Sequence, residues 1–189
     1  MKTTKSLGQV VMLMVALFAS PFLMAQTAYT VNPTADLRVS GTSTIHDWEM
    51  TSKSASGKAS LVATENTVTD IKSLVVEMEA ETLKSGKKAM DNNTYKALKT
   101  SSHKKIKFEL ISAAKAANGS WNLTGTFNIA GAAKKVTINA KVTSKDNVHT
   151  VKGSYSFKLT EYNITPPTAV MGTIKTGDEV KITFDIKLN

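Results

Sequence analysis

The chain contains no cysteine. No disulfide can staple it and no lipobox cysteine can carry a lipid anchor, so stability has to come from a buried core. Histidine is scarce as well. His46, His103 and His149 are the three present, and none stands at a metal-ligand spacing from another. His46 beside Asp47 is the pairing that invites a catalytic or metal role, against the simpler reading of a turn histidine bonded to backbone. There is no nucleophile motif, no glycine-rich phosphate loop and no isolated carboxylate pair at an expected cleft. Glu77, Glu79 and Glu81 alternate along one strand edge and read as a solvated face. An enzyme is therefore not expected, and no catalytic residue or metal ligand is assigned.

Long apolar runs are absent too, except at the start. Lys2 and Lys5 precede an apolar stretch from Val10 to Met24, broken by Ser20 and Pro21, and small Ala25 follows. That order is a charged region, an apolar region and a small-residue cleavage site, and the apolar stretch is short for a membrane span. Residues 1–25 are expected to be a signal peptide and 26–189 a single exported domain, periplasmic or secreted. Removal of the segment takes two lysines from 24 basic residues and nothing from 15 acidic ones, so the net charge of +9 falls by two and the domain stays basic. Such a surface suits transient contact with anionic lipid, whereas nucleic acid is not an expected partner outside the cytoplasm.

What is abundant is alternation. Trp121, Leu123, Gly125, Phe127 and Ile129 share one face, opposite Asn122, Thr124, Thr126 and Asn128. The same period of two runs through Val136–Val142, Val151–Leu159 and Val180–Leu188. Shorter runs lie at Leu37–Ser40, Trp48–Ser52, Ala59–Ala63, Leu74–Ala80 and Ile106–Leu110. Asn118-Gly119, Ala130-Gly131 and Asp146-Asn147 fall between strands as hairpin turns. The pattern predicts an all-β antiparallel barrel of about eight strands, closed because closure removes exposed edges. One short helical crossover is expected between Thr82 and His103, capped by Asp91 or Asn92 and running through Thr94–Leu98. Glu161–Asp178, with Pro166-Pro167, reads as irregular. Lys135, Lys141, Lys158, Lys181 and Lys187 occupy the polar faces, where lipid contact would be costly, so the apolar face is expected inside.

Four segments carry a family likeness. Gly41–Trp48 (GTSTIHDW), Met90–Leu110, Leu123–Val136 and Phe157–Gly172 occur in the order found in the YceI-like family of lipid- or polyisoprenoid-binding proteins. The chain resembles the variant common among Bacteroidetes, although Lys104 stands where proline is usual and Ala133 replaces threonine. The resemblance implies a lipocalin-like barrel that holds a long-chain isoprenoid, such as a quinone tail or polyprenyl lipid, in an elongated apolar tunnel. It implies no other cofactor. A strand of ten residues spans about 34 Å, and each isoprene unit buried is worth roughly 3–4 kcal/mol before entropy costs.

On that reading the tunnel lining is Trp48, Phe108, Trp121, Leu123, Phe127, Ile129, Ile138, Tyr155, Phe157 and Phe184, with His46, Met90, Tyr95 and Met171 at the mouth. The alternative is a structural or adhesive barrel whose inward aromatics fill a dry core and whose basic surface binds a partner. Gly125 and Gly153 fall on inward positions, where a missing side chain leaves room or marks a bulge. Oligomeric state is left open by these residues.

Overall fold

The computed structural model describes residues 26–64 and 66–189, so the expected signal peptide lies outside the described residues. The strands are β1 (Gln26–Thr30), β2 (Thr34–Ser43), β3 (Trp48–Ser54), β4 (Ser56–Thr64), β5 (Thr67–Glu79), β6 (Lys105–Lys115), β7 (Trp121–Ile129), β8 (Ala132–Lys145), β9 (Val148–Lys158), β10 (Thr168–Ala169) and β11 (Ile174–Leu188). Among the described residues one α-helix, α1 (Lys88–Ala97), lies between β5 and β6, after a short 3₁₀ turn at Ala80–Thr82. The antiparallel sheet runs β1-β4-β5-β6-β7-β8-β9-β11-β2-β3, with β10 paired to β11 off that path. Inward side chains of β7 are buried at every second position, as its alternation requires.

The described residues form eleven strands, where nine alternating runs and a barrel of about eight strands were expected. The additions are β1, whose QTAYT sequence is mostly exposed, and β10, two residues inside the stretch read as irregular. Neither presents enough alternation to be visible. β11 also starts at Ile174, six residues before the regular run from Val180, because a bulge between Thr176 and Val180 shifts its register.

The ladder curls without pairing its end strands β1 and β3 to each other. Main-chain bridges tie those ends down. Thr30 and Asn189 exchange N–H to O bonds of 2.9 and 3.0 Å, the Asn32 N–H reaches the Lys187 carbonyl at 2.8 Å, and Thr51 and Lys84 exchange bonds of 2.8 and 2.9 Å. Closure is thus by short bridges instead of a continuous ladder, which still blunts both edges.

Two hairpins use the turn that right-twisted strands favour: Ala130-Gly131 and Asp146-Asn147 all have positive φ. Gly125 and Gly153 are seats for aromatic rings. A Cβ at Gly125 would stand 2.5 Å from Phe108 Cζ, and one at Gly153 would stand 2.7 Å from Phe184 Cζ. Gly125 also faces a bulge in β6, between Leu110 and Ser112.

The helix differs from expectation in its start and its cap. It begins at Lys88, with Lys87 in the capping position and no side-chain cap. Asp91 is buried inside it and accepts bonds from the Ser85 N–H (2.8 Å) and hydroxyl (2.6 Å), pinning the preceding loop. Burial pushes that carboxyl up, but the Ser85 bonds and nearby Lys84 hold it below its ordinary value. The connection joins neighbouring strands β5 and β6, and α1 lies across one end of the sheet, as expected of the short helical crossover.

Candidate functional site

Beneath α1 lies a cavity of about 320 Å³. The helix contributes Met90, Asn93, Thr94, Ala97 and Leu98, a spacing that places them on one face. Val39 of β2, Met50 of β3, Ile106 of β6 and Val180 and Ile182 of β11 supply the facing wall. Among the described residues the ionisable side chains in the lining are Lys87 and His46, both at the rim, with no carboxylate beside them. The Thr94 hydroxyl donates to Met50 Sδ at 3.2 Å, fixing the helix on its floor.

A second chamber of about 90 Å³ follows deeper in the sheet, walled by Phe108, Leu123, Phe127, Ile138 and Phe184. Ile106 and Ile182 line both chambers. Along β11, Ile174 to Ile182 face the first and Ile182 to Ile186 the second, so the two lie end to end along the strand direction. At about 3.3 Å per residue that path is roughly 40 Å long.

The residues singled out from sequence divide accordingly. His46, Trp48, Met90, Ile129 and Phe157 border the first chamber, and Phe108, Leu123, Phe127, Ile138 and Phe184 border the second. Trp121, Tyr155, Tyr95 and Met171 border neither. Trp121 is buried opposite Ala140, beyond Leu123. Tyr155 stacks on Phe157 at 5.5 Å. The Tyr95 hydroxyl accepts from Lys84 Nζ (2.6 Å) and donates to the Leu83 carbonyl (2.8 Å), so it ties α1 to the chain before it instead of forming a lip. Met171 is wholly exposed on a turn. Sequence reasoning passed over Val39, Met50, Ala97 and Leu98. Ala97 and Leu98 fell inside the expected helix, but which of its faces meets the cavity is set by the facing strands, whereas the alternation of β2 and β3 could have flagged the other two.

The segment Gly41–Trp48 builds the rim. The Ser43 hydroxyl donates to the His46 carbonyl (2.7 Å) and accepts the His46 N–H (3.2 Å), closing a tight loop. His46 Nδ1 sits 2.7 Å from the Asp47 carbonyl, which makes it the turn histidine bonded to backbone. Trp48 Nε1 donates to the Thr42 carbonyl (2.9 Å), and the ring lies where a Cβ on Gly41 would be 2.5 Å from Cζ2.

Residues 29–188 match the family model for the YceI-like domain. The chain belongs to the YceI-like family. No curated protein matches it in sequence. Solved structures similar to this YceI-like domain include Burkholderia cenocepacia BcnA, at 17% identity, 83% of this chain, 98% of that one and a TM-score of 0.69. A polyisoprenoid binding domain from Saccharophagus degradans, implicated in plant cell wall breakdown, aligns at 11% identity over 85% of this chain and 97% of that one, with a TM-score of 0.64. The Campylobacter jejuni YCEI protein aligns at 17% identity over 62% and 72% of the two chains, with a TM-score of 0.51. These likenesses establish the fold of the YceI-like domain.

At the far end of the sheet His149 is fully buried, its Nδ1 2.7 Å from the Ser144 hydroxyl and its ring edge-on to Tyr29 at 4.8 Å. Burial pushes its pKa below the ordinary 6.5. Above pH 6.5 the ring is neutral folded or unfolded. Below it the unfolded chain takes up a proton that the fold refuses, so stability falls as pH drops from 6.5 toward the folded-state value. Asp36, Asp70 and Asp178, held below 3.8, lose their contribution in a separate, lower window. Urea midpoints are expected to fall between pH 7.5 and 5.5 in the wild type and to fall less in His149→Gln; equal slopes would remove His149 as the cause.

Proposed function

We propose that the protein binds and sequesters a long-chain isoprenoid lipid, outside the cytoplasm and without chemistry of its own. The observation that carries this reading is the roughly 320 Å³ apolar cavity, continued by a second apolar chamber toward Ile186. Well-packed cores leave few voids larger than a water molecule, so unfilled space on this scale fits a ligand better than a dry structural core. Its long, narrow layout suits a linear chain, such as a quinone tail or polyprenyl lipid. Each buried methylene contributes about 0.8 kcal/mol, so a plain apolar tunnel suffices without specific polar contacts along the tail. Polyisoprenoid binding by the Saccharophagus degradans domain supports the same class of cargo. A signal peptide over residues 1–25 would deliver the domain to the periplasm or the medium. Among the described residues the lining holds a lysine and a histidine at the rim and no carboxylate, and the Ser43 hydroxyl is bonded to the His46 backbone, which suits the cavity to holding a molecule and not to transforming it.

Trp48 lines the first chamber while Trp121 borders neither, so the two indoles separate occupancy from bulk effects. Titration of the purified, delipidated protein with a quinone carrying a short isoprenoid tail is expected to quench fluorescence saturably at one quinone per chain. Most of that response should vanish in Trp48→Phe. A linear, unsaturable decrease that is the same in both proteins would count against the proposal.

A further inference from the structure

Ile45, Val170 and Met171 are large apolar side chains left 61%, 68% and 106% exposed. They gather at one place. Ile45 tips the loop between β2 and β3, and Val170 and Met171 form the turn between β10 and β11. The loops are tied together: the Thr44 N–H donates to the Lys175 carbonyl (3.0 Å), and the Lys175 N–H donates to the Thr44 hydroxyl oxygen (3.2 Å). Ile45, Ala169 and Ile174 also line the large cavity, so the exposed tips continue its apolar wall outward. Val170 and Met171 adopt positive φ of 49° and 52°, a conformation unfavourable for a β-branched residue, and the turn aims both side chains at solvent.

The charges around this rim are mainly positive. Lys87 lines the opening, Lys88 begins α1, and Lys175 lies on the strand bonded to the Ile45 loop. Asp47 is the carboxylate within two residues of the tips. Exposed apolar residues flanked by lysines fit the boundary of an anionic bilayer, where apolar tips enter the acyl region and ammonium groups meet the headgroups. A lipid tail leaving such a bilayer would pass from acyl chains to the cavity along apolar atoms, without crossing water.

We propose that the protein docks on anionic lipid bilayers mouth-down, through Ile45, Val170 and Met171, and exchanges its cargo in that orientation. The cargo-exchange part rests on the cavity being the lipid site; the docking surface does not.

The test uses the purified protein and sedimentation with two kinds of vesicle, phosphatidylcholine alone and phosphatidylcholine with phosphatidylglycerol. The variant is Val170→Asn/Met171→Asn, because asparagine tolerates the left-handed turn and neither position lines the cavity. Wild type is expected to partition onto the anionic vesicles in preference to the neutral ones, and the double variant to bind them about tenfold more weakly. Uptake of a quinone dispersed in detergent should be the same for both proteins. Absence of wild-type binding, or equal binding by the variant, would overturn the docking surface. Intact, variant-sensitive vesicle binding with no uptake from detergent by either protein would uphold the surface and overturn the cargo reading.

Discussion

Replacing Ala97 with tryptophan is expected to weaken lipid uptake at least about tenfold while leaving the fold intact. Ala97 lies on the cavity face of α1, one helical turn beyond Asn93 and Thr94. An indole there projects into a space of about 320 Å³ and takes room from the tail. Excluding even two methylenes costs about 1.6 kcal/mol, more than a factor of ten in affinity. Tryptophan is an acceptable helix residue, and filling a void does not destabilise a core, so the thermal midpoint should stay level or rise. Lys96→Trp adds the same ring to an exposed position of the same helix and should bind as wild type does. Equal affinities for the two variants would show that the cavity is not where the ligand sits.

The largest loss of stability is expected at Tyr162, which is fully buried in the 3₁₀ turn Leu159–Tyr162. Its ring meets Phe157 edge-on at 4.9 Å and Phe127 at 6.3 Å, and through Phe127 it is linked to Phe108. The turn is held in place by Asp178, which accepts the Thr160 N–H (2.9 Å) and hydroxyl (2.7 Å). Tyr162→Ala should therefore cost about 3–5 kcal/mol, a large share of the 5–15 kcal/mol typical of a domain. Tyr155→Ala removes a half-buried ring from the edge of the same cluster and should cost less. Urea denaturation of the two variants measures the difference, and a Tyr162 variant as stable as the Tyr155 one would contradict this account of the core.

The sheet was readable from the chain because alternation, hairpin turns and burial all point the same way in β7, β8, β9 and β11. Trp121, Leu123, Phe127 and Ile129 are buried, and Lys135, Lys141, Lys158, Lys181 and Lys187 are exposed. Closure was expected, but its manner was harder to foresee, because it depends on single bridges such as Thr51 to Lys84 that leave no periodic trace. The site was partly legible for a related reason. An inward strand residue is marked by its period, but whether it meets empty space or another side chain depends on the opposite wall, which is distant in sequence. Trp121 and Phe127 share a face, yet Phe127 borders a chamber and Trp121 does not. The helix was the least legible element, since Lys88-Ala89-Met90 looks like part of a lysine-rich loop, and Asp91 resembles a cap while serving Ser85 from inside the helix.

Native mass spectrometry of the protein purified from its own host, followed by denaturation and identification of what is released, tests the central claim most directly. A single long-chain isoprenoid per polypeptide, present in wild type and lost in Ala97→Trp, is the predicted result. A clean ligand-free mass that persists after added quinone and polyprenol would contradict it.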